Sequence, residues 1–314
     1  MTSEPYPKSS AAPKLILQDE APARRGTRAQ RPASQLARKA TLDVISYLVL
    51  SIGALTMLVP FLWMISVSFR IPAEQYSRNL IPNPVTLQNY VDLWQKLPDQ
   101  AFPYLMFNSF KLAGLMVVGQ LLTCSMAAFV FAVVKFKGRN LLFSILLATM
   151  IIPSQVSLIP DFILFKYMGL TGTQWPLILP AFWGGAFGTF LLRQYFLTIP
   201  RDLVDAARMD GASLWDIFWQ IYMPNSKPAL VALAIFTFKD AWNDLLRPLV
   251  YLPTDMHKTT LTVGLAFFQQ QLQAGGKFTV LMAGAFLSIV PLLIIFFFAQ
   301  RYFIEGVALT GIRR

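Results

Sequence analysis

The sequence predicts an all-α, polytopic membrane protein with six transmembrane helices. Three observations predict it: composition, the length of the uncharged runs, and the sidedness of the basic residues. Of the 314 residues, 55% are hydrophobic and only 14% charged, and mean hydropathy is +0.51; in soluble domains about a quarter of residues are charged. Uncharged runs cover 44–69, 112–134, 140–160, 167–192 and 278–300, and a sixth, 228–252, is interrupted by charge. A hydrocarbon core of about 30 Å takes about 20 helical residues to cross, so each run is long enough. Runs this long and continuously apolar exclude the alternating strands of an outer-membrane barrel.

The net charge of +11 is sorted by side, which argues against a nucleic-acid-binding surface. Basic residues crowd the N-terminal tail (Lys8, Lys14, Arg24, Arg25, Arg28, Arg31, Arg38, Lys39), the second-to-third connection (Lys135, Lys137, Arg139), the fourth-to-fifth connection (Arg193, Arg201, Arg208, Lys227) and the C-terminus (Arg301, Arg313, Arg314). The alternate connections hold only Arg70, Arg78, Lys96, Lys166, Lys258 and Lys277. The positive-inside rule therefore expects both termini, and the loop at about 200–224, in the cytoplasm.

Taken in order, residues 1–42 are rich in Ala, Pro, Ser and Arg and lack an apolar stretch with a cleavage site. They read as a disordered basic cytoplasmic tail, and the first span as an uncleaved anchor, with residues 43–314 forming the membrane domain. The first external connection, 70–107, contains Pro72, Pro82, Pro84, Asn89, Trp94 and Pro98, and is expected to be partly ordered, either as a contact for a partner or as a simple cap. Cys124 lies between Thr123 and Ser125 in the second span and reads as a small packing residue. Pro176, Pro180, Gly184, Gly185 and Gly188 mark an irregular helix whose small residues permit close packing.

Between the fourth and fifth spans stands Asp205-Ala206-Ala207, then Arg208, Met209 and Asp210, then Gly211, and after nine residues Ile221-Tyr222-Met223-Pro224. Pro200 and Asp202 suit a helix start, so a short helix is expected over 202–210, with Gly211 taking the left-handed backbone that ends it. A second helix over 212–223 carries Trp215, Phe218, Trp219 and Tyr222, as a helix at a membrane interface does. Ala206 and Ala207 offer little bulk, letting a partner groove approach, while Asp205, Arg208 and Asp210 offer charged hydrogen bonds around it.

This spacing resembles the coupling loop of permease subunits of ABC importers, whose usual pattern is Glu-Ala-Ala, three residues, Gly, nine residues, Ile-x-Leu-Pro. Asp205 and Met223 depart from it conservatively. The resemblance implies that Asp205, Ala206, Ala207, Arg208, Asp210, Gly211, Ile221 and Pro224 engage a cytoplasmic ATPase.

The fifth span contains Lys239, Asp240, Trp242, Asn243, Asp244 and Arg247. On a continuous helix Asp240, Asp244 and Arg247 would share one face, and such charges must point into the bundle or a watery cavity. Trp242-Asn243-Asp244 followed by Arg247-Pro248-Leu249 resembles the fifth span of carbohydrate-type importer permeases, which implies that Asp240, Trp242, Asn243 and Asp244 approach the substrate path. The other reading is a clamp between Asp244 and Arg247 that stabilises the helix end or a dimer interface. Gln300-Arg301-Tyr302-Phe303-Ile304-Glu305-Gly306 and Thr310-Gly311-Ile312, with Asn108-Ser109 at the start of the second span, are similar to maltose-type permeases.

The resemblance implies a bacterial or archaeal cytoplasmic membrane, a dimer of ABC ATPase subunits, a second homologous permease, an extracytoplasmic substrate-binding protein, and a sugar or oligosaccharide as cargo. The chain is not expected to be an enzyme or to hold a metal or cofactor. It lacks Gly-x-x-x-x-Gly-Lys-Ser/Thr, the nearest fragment being Gly275-Gly276-Lys277-Phe278, so ATP and Mg²⁺ belong to the partner. Two rival classes are an ion-coupled secondary transporter using Asp240 or Asp244, which lacks the expected internal repeat, and an intramembrane hydrolase. For the latter the sole histidine, His257, reads as a solvated external loop residue.

Overall fold

The computed structural model describes residues 33–95, 101–252, 256–272 and 277–311, and every regular element among them is helical. Residues 1–57 and 58–314 form two contact units, and the packing below is that of the second. α1 runs Ala33–Ser68; the expected tail lies outside the described residues for positions 1–32. Then follow α2 (Gln88–Gln95), α3 (Phe102–Val133), α4 (Arg139–Ala148), α5 (Ser154–Tyr167), α6 (Trp175–Ile178), α7 (Ala186–Phe196), α8 (Arg201–Met209), α9 (Leu214–Asp216), α10 (Met223–Asn225), α11 (Lys227–Asn243), α12 (Leu246–Tyr251), α13 (Leu261–Leu272) and α14 (Phe278–Gly311).

Thr41–Ser68, Phe102–Val133, Trp175–Phe196 and Phe278–Gln300 are each long and apolar enough to cross a membrane. Three expected spans are broken. The run at 140–160 is two helices bent by 97°: Pro153 has no N–H to continue the ladder and holds Ile152 extended at φ −80°, ψ 115°. The run at 167–192 shifts to Trp175–Phe196, with a 3₁₀ stretch at Leu179–Trp183 between α6 and α7. The run at 228–252 stops after 17 residues at Asn243. Asp244 is extended at φ −67°, ψ 122°, and its carboxylate accepts from both N–H (3.4 Å) and Nε (2.5 Å) of Arg247, starting α12 afresh. The shared helical face expected for Asp240, Asp244 and Arg247 is therefore not formed; the expected Asp244 to Arg247 clamp is.

α3 packs along α7 and α11, and α11 packs on α14. Within a bilayer apolar transfer gives helices little reason to associate, so close packing must do so. Gly188 supplies it: a Cβ there would lie 2.7 Å from Cys124 Sγ and 3.0 Å from Leu233 Cδ1, so only hydrogen lets α7 meet α3 and α11. Cys124 is fully buried, as its reading as a packing residue required.

At the end of the bundle opposite residues 200–224, a buried polar network closes the fold. Asn89 on α2 donates to the carbonyls of Ser68 (2.8 Å) and Arg70 (2.7 Å) and accepts from Thr279 Oγ1 (2.8 Å). Arg70, 1% exposed, lies over the Trp63 ring and donates to Ser66 Oγ and to the carbonyls of Ser77 and Asn79. Lys277 Nζ meets Asp92 Oδ2 at 2.8 Å, so the lysine of the Gly-Gly-Lys fragment is tied to a carboxylate. Residues 70–92 of this connection are thus stapled to this chain's own α1 and α14. His257 is half-buried rather than solvated: Tyr104 lies edge-on to it at 4.5 Å, and its carbonyl accepts from Asn108 Nδ2.

Candidate functional site: the 200–224 loop and a polar cavity

The loop is a helix, a left-handed turn and a second helix. α8 ends at Met209 because Gly211 adopts φ +81°; Asp210 N–H then reaches Ala206 O (3.1 Å), Gly211 N–H reaches Arg208 O (3.0 Å), and Ala212 N–H reaches Ala207 O (2.9 Å). These bonds satisfy carbonyls that a helix end otherwise leaves unpaired. Nothing lies within 4 Å of a Cβ built on Gly211, so the glycine is needed for its backbone conformation and not for space.

The second helix opens with a device that the sequence carries as Ser-x-x-Asp. Ser213 Oγ accepts from Asp216 N–H (3.2 Å) while Asp216 Oδ2 accepts from Ser213 N–H (3.0 Å), a reciprocal cap. It continues as a π-helical turn, Ile217–Tyr222, rather than the simple helix expected over 212–223. The aromatic residues divide: Phe218 and Tyr222 are buried, Trp215 and Trp219 exposed.

Val204, Ile217, Phe218 and Tyr222 join one buried cluster with Cys124, Ala128 and Phe129 of α3, Leu192 and Phe196 of α7, and Ala229 and Leu233 of α11. Phe129 and Phe196 each pack edge-on to Tyr222 at 5.1 Å. Ala207 also turns toward this cluster, so only Ala206 offers the low-bulk outward surface expected of both alanines. The outward surface is Asp205, Ala206, Arg208, Met209 and Asp210, with Asp205 and Arg208 3.9 Å apart. Ile221 is half-buried and Pro224 exposed. Met209, 88% exposed, was not singled out by sequence reasoning; its signal is one apolar side chain in an otherwise charged turn.

Burial pushes the Tyr222 phenol up despite the opposing pull of Arg201 and Arg208. The hydrogen bonds from Ser213 hold the Asp216 carboxyl below the usual carboxylate range. A lowered folded value means that the cap's contribution is complete above the unfolded carboxylate value, about 4, and is lost as pH falls through the folded one. Unfolding of the purified chain in detergent, followed by tryptophan fluorescence, should therefore show this contribution constant from about pH 7 to about pH 5 and failing only below about pH 4. Asp216→Asn should flatten that acid limb.

At the opposite end of α11, a cavity of about 700 Å³ is lined by Gln155 of α5 and by Lys239, Asp240, Asn243, Asp244 and Arg247, among others. Three of the four substrate-path candidates, Asp240, Asn243 and Asp244, line it. Trp242 does not: it is 2% exposed, stacks on Phe238, and donates from Nε1 to Ser288 O at 3.0 Å. Asp240 and Asp244, which an ion-coupled transporter would need as its ion site, each stand against a cation, Lys239 at 3.4 Å and Arg247 at 2.5 Å.

Residues 120–308, which contain both the loop and the cavity-lining residues, match the family described as binding-protein-dependent transport system inner membrane component. The chain belongs to this family. This inner membrane component is 36% identical to the arabinooligosaccharides transport system permease protein AraQ of Halalkalibacterium halodurans, over 88% of this chain and 99% of that protein. It is 30% identical to the sn-glycerol-3-phosphate transport system permease protein UgpE of Yersinia enterocolitica, over 84% of this chain and 95% of that one. Its fold is similar to a chain in the crystal structure of a bacterial ABC transporter involved in the import of the acidic polysaccharide alginate. There the TM-score is 0.74 and the identity 25%, over 85% of this chain and 98% of that chain. The component is therefore a polytopic helical subunit of a transport system, and the carbohydrate-type resemblance read from its fifth span and C-terminal segment agrees with these relatives.

Proposed function

We propose that this chain is the permease subunit of an ATP-driven importer of a sugar or oligosaccharide. It forms half of a translocation pore with a second, homologous permease and receives cargo from an extracytoplasmic binding protein. Its 200–224 loop docks on a cytoplasmic ATPase dimer that binds ATP and Mg²⁺, and both termini lie on the ATPase side. One observation carries the reading: the loop has a charged outward face on α8 and a back built into the cluster joining α3, α7 and α11. A partner gripping Asp205, Arg208 and Met209 pulls on three membrane helices at once. The six-span count belongs to this reading, with the bent α4–α5 pair and the broken α11–α12 segment as the third and fifth crossings. The arabinooligosaccharide permease at 36% identity supports a carbohydrate cargo.

The test is co-purification in mild detergent of the native chain and of Asp205→Arg with Met209→Asp, both positions exposed and so tolerant of the change. The native chain should bring down an ATPase and a second permease. The variant should keep the permease while ATPase recovery falls on the order of 100-fold, as loss of a central anchor with charge reversal does. Equal ATPase recovery by the two would remove the docking role from this loop.

A further inference from the structure

The cavity beyond the end of α11 is balanced in charge: its lining includes Lys239 and Arg247 and also Asp240 and Asp244. Neither cation is spare. Lys239 Nζ is 3.4 Å from Asp240 Oδ1, and Arg247 Nε is 2.5 Å from Asp244 Oδ2. We propose that this cavity is where the chain contacts its cargo, and that it takes neutral, polyhydroxylated carbohydrates in preference to acidic ones. The inference rests on the carbohydrate reading above and narrows it.

A sugar hydroxyl both donates and accepts, so it is served by donors and acceptors standing side by side. The cavity offers that arrangement: ammonium and guanidinium donors, carboxylate acceptors, and the amides of Gln155 and Asn243. The side chains of Lys239 and Asp240 remain 56% and 70% exposed, so their outer lone pairs and protons are open to a ligand without breaking the pair. A uronate or phosphate finds different terms. It would meet the largely exposed carboxylate of Asp240, and each cation it could reach already shares its charge with a carboxylate, Lys239 with Asp240 and Arg247, through Nε, with Asp244. The Asp244 side chain is only 15% exposed and also accepts from Arg247 N–H, so its charge stays beside the guanidinium and offsets it. Trp242, which could have provided a stacking face, is turned into the core. Recognition by this chain is therefore through hydrogen bonds at the rim of two ion pairs. The cavity volume of about 700 Å³ lies in the range of sites for small ligands.

The experiment uses the assembled importer in proteoliposomes with Ser154→Cys, a position on the cavity wall; the native chain, whose Cys124 is buried, is the blank. The rate of maleimide labelling is followed with arabinotriose or maltotriose as neutral probes and trigalacturonate as the acidic one, and ATP-driven uptake of each is measured on the same vesicles. A neutral trisaccharide should slow labelling severalfold and trigalacturonate should leave it unchanged. Asp240→Asn in the same background, which leaves the cavity with a net positive charge, should let trigalacturonate slow labelling. Protection of the native cavity by trigalacturonate as strong as that by a neutral sugar would overturn the preference. Absence of protection by a neutral sugar that the vesicles import would overturn the cavity as its contact. Vesicles that import none of the three would instead fail the carbohydrate reading itself, and this inference with it.

Discussion

Gly211→Pro is expected to abolish ATP-driven uptake while leaving the chain inserted in the membrane. Gly211 sits at φ +81° and its N–H caps Arg208 O. Proline fixes φ near −65° and has no N–H, so the turn cannot form as it stands. The lost left-handed conformation costs about 1–2 kcal/mol, and the lost hydrogen bond about another 1. A penalty of about 3 kcal/mol lowers the population of the native loop on the order of 100-fold. Gly211→Ala separates conformation from bulk. With nothing near its added methyl, it should cost only the backbone term, about 1 kcal/mol, and retain partial uptake. Reconstituted transport and ATPase activity measured side by side read the effect: ATP hydrolysis no longer stimulated by binding protein and cargo, with uptake at background. Native uptake by Gly211→Pro would mean that the turn is not part of the coupling path.

The second large effect lies at the other end of the molecule. Asn89→Leu should strip the partner from the carbonyls of Ser68 and Arg70 and from the Thr279 hydroxyl, all in a site where Asn89 itself is 1% exposed. Each buried polar group left unpaired costs about 1–3 kcal/mol, so the total for the three is about 3–9 kcal/mol. Thermal unfolding in detergent should show a large fall in midpoint and a low yield of folded protein. Thr279→Val removes only one of the three bonds and should fall well short of that. A midpoint for Asn89→Leu equal to that of Thr279→Val would show that the network is not what ties α2 to α1 and α14.

The sequence was most legible where a local rule decides the structure. Composition and run length identified a polytopic helical protein, and the Gly211 turn followed from one residue type at one spacing. It was least legible where a side chain competes with the backbone or where contacts are distant. Counting residues along the fifth span could not reveal that the Asp244 carboxylate caps Arg247 and ends the helix. Pro153 was visible, but proline is tolerated inside membrane helices, so the 97° bend did not declare itself. Ala207 and Trp242 were assigned outward roles because their chemistry suits them, whereas packing turned both inward. The Asn89 to Thr279 bond joins positions 190 residues apart, beyond any periodicity. Ser213 with Asp216 was legible as Ser-x-x-Asp and was overlooked because the glycine before it drew the turn assignment.

α11 belongs to two places. Ala229 and Leu233 near its start are built into the cluster behind the 200–224 loop, and Lys239, Asp240 and Asn243 at its end line the polar cavity. If α11 moves as one body, a ligand that holds its far end in one position biases the position of the loop, and whatever grips the loop biases the cavity. Free-energy linkage makes that influence mutual and equal in both directions. Cargo that tightens the hold on the ATPase must itself be held more tightly while the ATPase is engaged and released as that grip is lost, so one helix gives the chain the means to link the two events.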